Sequence, residues 1–334
     1  MKHYEHIDLT ASEISTLWTA YQSDTMGICG VKHFLTNVED EQIRLILEDT
    51  KLLLEEHITA LKVFFNKEDH PIPQGFTEQD VNLSAPRLFS DRLYLEYILN
   101  MTTISLAVYS LALSVAERGD VIDYYAENLR KIKDLHIQSK ELAKDKGVYI
   151  RTPHIPKPNQ IDFVKKQSFL AGWFAERRPL IGTEIMNIVF NAKRNAIGHA
   201  VITGFSQVAK SKEVRGYFEK GGNIAMKQLE IFSSILHEDN LHEGSLLMTA
   251  EVTDSTVSPF SDKLMVFLVT SLIATGMGQY GASMSVSPRH DLGVHYSRLI
   301  AEIGKYSNEG ANLMIDNGWM EQPPIAADRK DLAK

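Results

Sequence analysis

The sequence predicts an all-α protein made of two duplicated ferritin-like four-helix bundles, each with a long crossover loop. Three observations carry this. Phe89-Ser90-Asp91-Arg92-Leu93 returns 171 residues later as Phe260-Ser261-Asp262-Lys263-Leu264, and the match continues without a gap from Leu9/Leu180 to Pro153/Pro324. A period that long is a domain duplication, since solenoid units run about 20 to 50 residues. Within each copy, apolar residues recur at three- and four-residue spacing over four long stretches. A proline-bearing loop divides those stretches into pairs, giving helix pair, crossover, helix pair, the connectivity of a bundle with one long crossover.

The first helix runs from about Ser12 to Thr36, with Ile14, Leu17, Trp18, Tyr21, Thr25, Ile28 and Leu35 on one face, and Thr10 to Glu13 offers a capping start. The second, about Asp40 to Asn66, follows a turn too short for anything but an antiparallel neighbour. Lys67 to Leu88 holds Pro71, Pro73, Gly75 and Pro86 and reads as the crossover. The third helix is about Phe89 to Glu117, and the fourth ends near Lys146, with Gly147 as its C-terminal cap. The copy repeats this near Thr183–Ala209, Ser211–Leu236, Phe260–Val286 and Asp291–Asn317. The domains expected are residues 1–154, a Pro-rich and aromatic linker at 155–179, and residues 180–334. Phe169, Trp173 and Phe174 of the linker are expected to pack one bundle on the other.

Composition narrows the partners. Forty-three acidic against thirty-five basic residues leave a net charge of -8, which repels a phosphate backbone, so no nucleic acid is expected. Cys29 is the single cysteine. It forms no intrachain disulfide and reads as a small buried residue. The polar opening Met1 to His6 lacks a secretory pattern, and a cytoplasmic chain is expected. Tyr97–Ala116 and Leu264–Pro288 are uncharged and long enough to approach or cross a bilayer. They occupy the same third-helix slot of a repeat whose other helices carry a charged face, so they are read as enclosed core helices and no membrane is expected.

Several motifs together resemble the tandem ferritin-like proteins of unknown function from spore-forming bacilli, a family grouped with spore coat protein F. They are Pro71-Ile72-Pro73-Gln74-Gly75-Phe76-Thr77, Ala85-Pro86-Arg87-Leu88-Phe89-Ser90-Asp91, Gly204-Phe205-Ser206-Gln207-Val208-Ala209, and Asn317-Gly318-Trp319 with Glu321. The resemblance implies two ferritin-like bundles and a spore association, and it implies no activity.

A di-iron centre in such a bundle needs Glu-x-x-His pairs. No Glu stands three residues before a His anywhere in the chain. No cofactor is predicted, with a transition metal left open. The candidates for a degenerate metal site are Asp24, His57, Glu96 and His136. Counting from the helix ends sets Asp24 level with His57, and Glu96 with His136 further along. The copy has Gln228, Phe267 and Ser307 in place of His57, Glu96 and His136. In the second bundle, Asn195 and His199 face Gly221 and Gly222, as the polar contacts of a small pocket or as a close helix approach over small residues. Ser90-Asp91 and Ser261-Asp262 are read as helix caps. The functional expectation is a non-catalytic structural or interaction protein that self-associates or binds a spore component. Its alternative is a metal or small-ligand binder that uses the bundle core.

Overall fold

A computed structural model describes residues 7–172, 177–242, 249–330 and 332. Trp173, Phe174 and the opening segment Met1 to His6 lie outside the described residues. Eight α-helices are present among those described: α1 (Ala11–Asn37), α2 (Glu41–Lys67), α3 (Asp91–Val115), α4 (Gly119–Asp145), α5 (Gly182–Val208), α6 (Lys212–Glu238), α7 (Asp262–Ser285) and α8 (His290–Asp316). The molecule is all-α, with the duplicated pairs the repeat predicts. In each half the two helices of a pair pack side by side, α1 with α2 and α3 with α4, then α5 with α6 and α7 with α8.

Local chemistry sets the ends. Thr10 caps α1 in a full capping box with Glu13. The other Glu13 oxygen accepts the backbone N–H groups of Glu117 (2.9 Å) and Arg118 (2.7 Å), fastening the start of α1 to the start of α4. Glu184 repeats this on the N–H of Arg289 (3.2 Å). Arg118 and Arg289 are buried, each against the aspartate two residues on, Asp120 and Asp291. Gly147 and Gly318 follow α4 and α8 at φ +68° and +66°, the left-handed backbone a glycine accepts without strain.

The halves are joined by a reciprocal clasp. Ser90 Oγ caps Leu93 N–H and also donates to Glu251 Oε2 (2.6 Å), while Ser90 N–H donates to the Glu251 carbonyl (2.9 Å). The second half returns both bonds, from Ser261 Oγ to Asp80 Oδ1 (2.7 Å) and from Ser261 N–H to the Asp80 carbonyl (2.9 Å). Two antiparallel bridges, Val81 with Phe260 and Phe89 with Val252, complete a pseudo-two-fold pairing of the crossovers. Asp91 meanwhile accepts the N–H groups of Glu39 and Asp40 ahead of α2, and Asp262 those of Lys210 and Ser211 ahead of α6. The repeated Phe-Ser-Asp thus does more than cap a helix. One apolar core runs from Leu17 through Phe89 and Phe260 to Met314, across both halves.

Two expectations differ from what is found. The crossovers join the halves, and Phe169, the one described member of the three aromatics expected to do so, is held locally under the Arg178 guanidinium at 4.2 Å. The third helices are also less enclosed than expected. Both α3 and α7 are long and apolar enough to span a membrane, yet only 33% of each most apolar window is buried. Leu111 on α3 stands 65% exposed, with Val108 and Val115 beside it. A bundle of four helices has no member surrounded on all sides, so each keeps an outward stripe.

Candidate functional site

The structure brings Asp24 of α1 and His57 of α2 together in the first-half core, as residue counting implies. His57 is 2% exposed and Asp24 7%. Their Nδ1 and Oδ2 atoms are 3.2 Å apart, and the Tyr109 hydroxyl of α3 lies 3.1 Å from the same Nδ1. Tyr109 was missed as a site residue, although its pairing with Tyr280 in the repeat was a signal for it. Burial, then the Asp24 charge, pushes the Tyr109 phenol well above its ordinary value, and Tyr124 beside it likewise. Both hydroxyls therefore keep their protons. In the tautomer that donates Nδ1–H to Asp24, Nε2 is the accepting nitrogen of His57, and it is buried with no partner among the described residues. A cavity of about 120 Å³ adjoins this node, lined by Asp24, His57, Thr102 and Tyr109 and by apolar residues including Leu54 and Ile98.

Glu96 and His136 do not join that pair. They line a separate cavity of about 220 Å³ where α3 and α4 face α5, together with Lys140, Lys193 and Arg194. Burial, against Arg92 and Lys193, raises the Glu96 carboxyl. Burial, aided by Lys140, lowers the His136 imidazole, whose Nδ1 meets the Thr102 hydroxyl at 3.1 Å. Among the described residues no three of His, Cys, Asp and Glu gather as metal ligands. Cys29 is buried, and burial lifts its thiol to about 12, so it is not a thiolate nucleophile at neutral pH.

In the second half the equivalent node is neutral. Asn195 Nδ2 donates to the Tyr280 hydroxyl (2.7 Å), which donates to Gln228 Oε1 (2.7 Å). A cavity of about 90 Å³ lies there, lined by Asn195, Gln228, Tyr280 and Gly221. His199 and Gly222 stand outside that lining. His199 Nδ1 instead donates to the Gly222 carbonyl at 3.0 Å. Gly221 makes room for Tyr306: a Cβ there would sit 2.1 Å from the phenolic oxygen, which donates to the Tyr217 carbonyl (2.9 Å).

A family model described as "Protein of unknown function (DUF3231)" matches residues 2–161 and again residues 168–332, so the chain belongs to this family, as a tandem of it. No curated protein matches the chain. Among solved structures it is similar to a candidate spore coat protein of Bacillus halodurans C-125, at 18% identity over 47% of this chain and 98% of that one, with a TM-score of 0.39.

Proposed function

We propose that the protein is a non-catalytic structural or interaction protein of a spore-forming bacterium, built from two ferritin-like bundles and associated with the spore. The single observation that supports it is the reciprocal clasp, in which the most closely repeated residues serve structure rather than chemistry: Ser90 and Ser261 bond across the halves, and Asp91 and Asp262 hold the start of the second helix within each half. Residues 1–154 and 180–334 act as the two bundles and 155–179 as their connection. The spore reading rests on the sequence motifs around Pro71–Thr77 and Gly204–Ala209. The partners are proteins, either a second copy or a spore component, rather than nucleic acid or membrane, and the site of synthesis is the cytoplasm. Elemental analysis of tag-free protein purified without chelators tests this. Metal well below one equivalent per chain is expected, and one or two equivalents of iron or manganese overturn it.

A second reading is favoured by the unpartnered His57 Nε2 beside a cavity. On it, the first-half core holds a small, mostly apolar molecule whose one hydrogen-bond donor meets that nitrogen. His57→Gln, which installs the residue of the second half, should abolish such binding with the helical circular dichroism unchanged.

A further inference from the structure

The cavity that holds Glu96 and His136 has a counterpart related to it by the duplication, and the two are filled differently. At the counterpart, the segment after α8 returns to α1. Gln22 Nε2 donates to Glu321 Oε2 (2.6 Å), and the same carboxylate accepts the N–H groups of Gln74 (2.9 Å) and Gly75 (3.2 Å). At the cavity, the segment after α4 returns to α5 in the same way, but the repeat sets Ile150 where Glu321 stands and Lys193 where Gln22 stands. Lys193 Nζ donates to the Ile150 backbone carbonyl. The carboxylate of the returning segment is gone from this side, Glu96 stands on α3 where the repeat has Phe267, and cations have been added. Arg194 takes the place of Ser23, Lys140 that of Ala311, and His136 that of Ser307.

These cations are half-buried and form no close ion pair among the described residues; Glu96 acts on Lys193 at longer range. Lys193 lies 5.1 Å from the centre of the Tyr149 ring. Arg194 donates to the Thr275 hydroxyl at 2.7 Å and lies near the Phe190 ring. No carboxylate is among these contacts. Burial lowers both Lys193 and Arg194 from their ordinary values, which records the cost of holding them charged out of water. Glu96 supplies one opposing charge to the three cations that line the cavity, and burial weakens its ionisation. A buried charge is ordinarily paired, and an excess of cations around an open volume is the arrangement that takes an anion.

We propose that this cavity is a binding site for a small oxyanion, a carboxylate or phosphate group held by Lys193 and Arg194 with Lys140 at its wall, replacing the carboxylate that Glu321 supplies on the other side. The volume of about 220 Å³ admits a molecule the size of a short carboxylic acid or inorganic phosphate, not a nucleotide. The site draws α3 and α4 from one half and α5 from the other, so the bound anion bridges the two. It is independent of whether the first-half core holds metal or an apolar ligand.

The test is titration calorimetry and thermal unfolding of the full chain with sodium phosphate and, separately, sodium acetate and sodium succinate, against sodium chloride at matched ionic strength. Saturable one-to-one binding of phosphate or of a carboxylate, absent with chloride, is expected, and the arm that responds identifies the group. Lys193→Gln and Arg194→Gln should each weaken binding about tenfold or more, as loss of a charge-assisted contact does. Lys140→Gln, at the wall of the cavity, should weaken it about threefold with helicity intact, which keeps the test sharp if the Arg194 variant does not fold. Gln22→Ala, at the counterpart, should leave affinity unchanged. No saturable response to any of the three anions up to about 10 mM, or an equal response in a Lys193→Gln, Lys140→Gln double variant, overturns the proposal.

Discussion

The two halves solve one packing problem with different chemistry. At the same three positions the first half has Asp24, His57 and Tyr109, and the second has Asn195, Gln228 and Tyr280. The second set makes two short, directional bonds among neutral groups, both 2.7 Å. The first holds a carboxylate and an imidazole at 3.2 Å and leaves Nε2 unmatched. A polar knot among the helices of a bundle can therefore be kept as a matter of shape, through amides of the same reach. Ionisable groups at those positions are a further choice that folding alone does not require, since a pair of amides avoids the desolvation of a carboxylate.

Removing the middle member of each set should break the likeness most. His57→Ala leaves the buried Asp24 carboxylate without its hydrogen-bond partner and should cost about 3–5 kcal/mol in urea unfolding. Gln228→Ala leaves the neutral Tyr280 hydroxyl short of an acceptor, takes one donor from Glu302, which keeps Lys227, and should cost about 1–3 kcal/mol. The double variant Asp24→Asn, His57→Gln, which dresses the first half as the second, should return to within about 1 kcal/mol of the native protein. Equal costs for the two alanine variants would mean that the first-half pair carries no charge.

A second contrast lies one layer away. Thr50 and Leu135 of the first half are replaced by Gly221 and Tyr306 in the second, small for medium on α6 and large for medium on α8. Gly221→Thr forces a Cβ against the Tyr306 oxygen and should cost about 3 kcal/mol. Adding Tyr306→Leu, which restores the first-half pair, should recover most of it. Additive losses in the double-mutant cycle would show that the glycine serves something other than its neighbour's bulk.

The sequence made the helices legible because each keeps its apolar spacing for 24 to 27 residues and begins or ends on residues whose local chemistry announces a boundary. It also placed Asp24 beside His57 and Glu96 beside His136, because antiparallel neighbours of known length have a fixed vertical register. The clasp was not legible. A serine and an aspartate at a helix start are accounted for by capping, so nothing about Ser90 asks for the Glu251 carboxylate 161 residues away. Nor could periodicity say that Lys193 and Arg194 would face Glu96 and His136, since it gives the faces of a helix and not the way two bundles meet. Phe169 misled for the same reason: an aromatic in a linker suggests a core to cover, and this one is covered locally by Arg178.

The contact between the halves holds a third contrast, and it is sensitive to pH. His33 on α1 is fully buried, with the Phe260 ring edge-on at 5.5 Å and the Asn82 backbone as the polar group that acts on its imidazole. The repeat sets Gly204 at its position in the second half, where a Cβ would meet the Phe89 ring at 2.5 Å. Phe89 therefore seats against bare backbone, and Phe260 against an imidazole. Burial drives the His33 pKa from 6.5 down to about 4. Between those values the unfolded chain takes up a proton that the folded one refuses, so stability falls as the pH drops through this window and is unaffected by His33 above it. The ceiling on the loss is about 3 kcal/mol, from about 1.4 kcal/mol per pKa unit. His33→Phe should flatten the dependence of urea midpoint on pH between 6.5 and 4, while Gly204, with nothing to titrate, contributes none. If the slope survives the substitution, the acid sensitivity belongs to other groups such as the half-buried His136 and His295, and the seam between the halves is no weaker in acid than the bundles themselves.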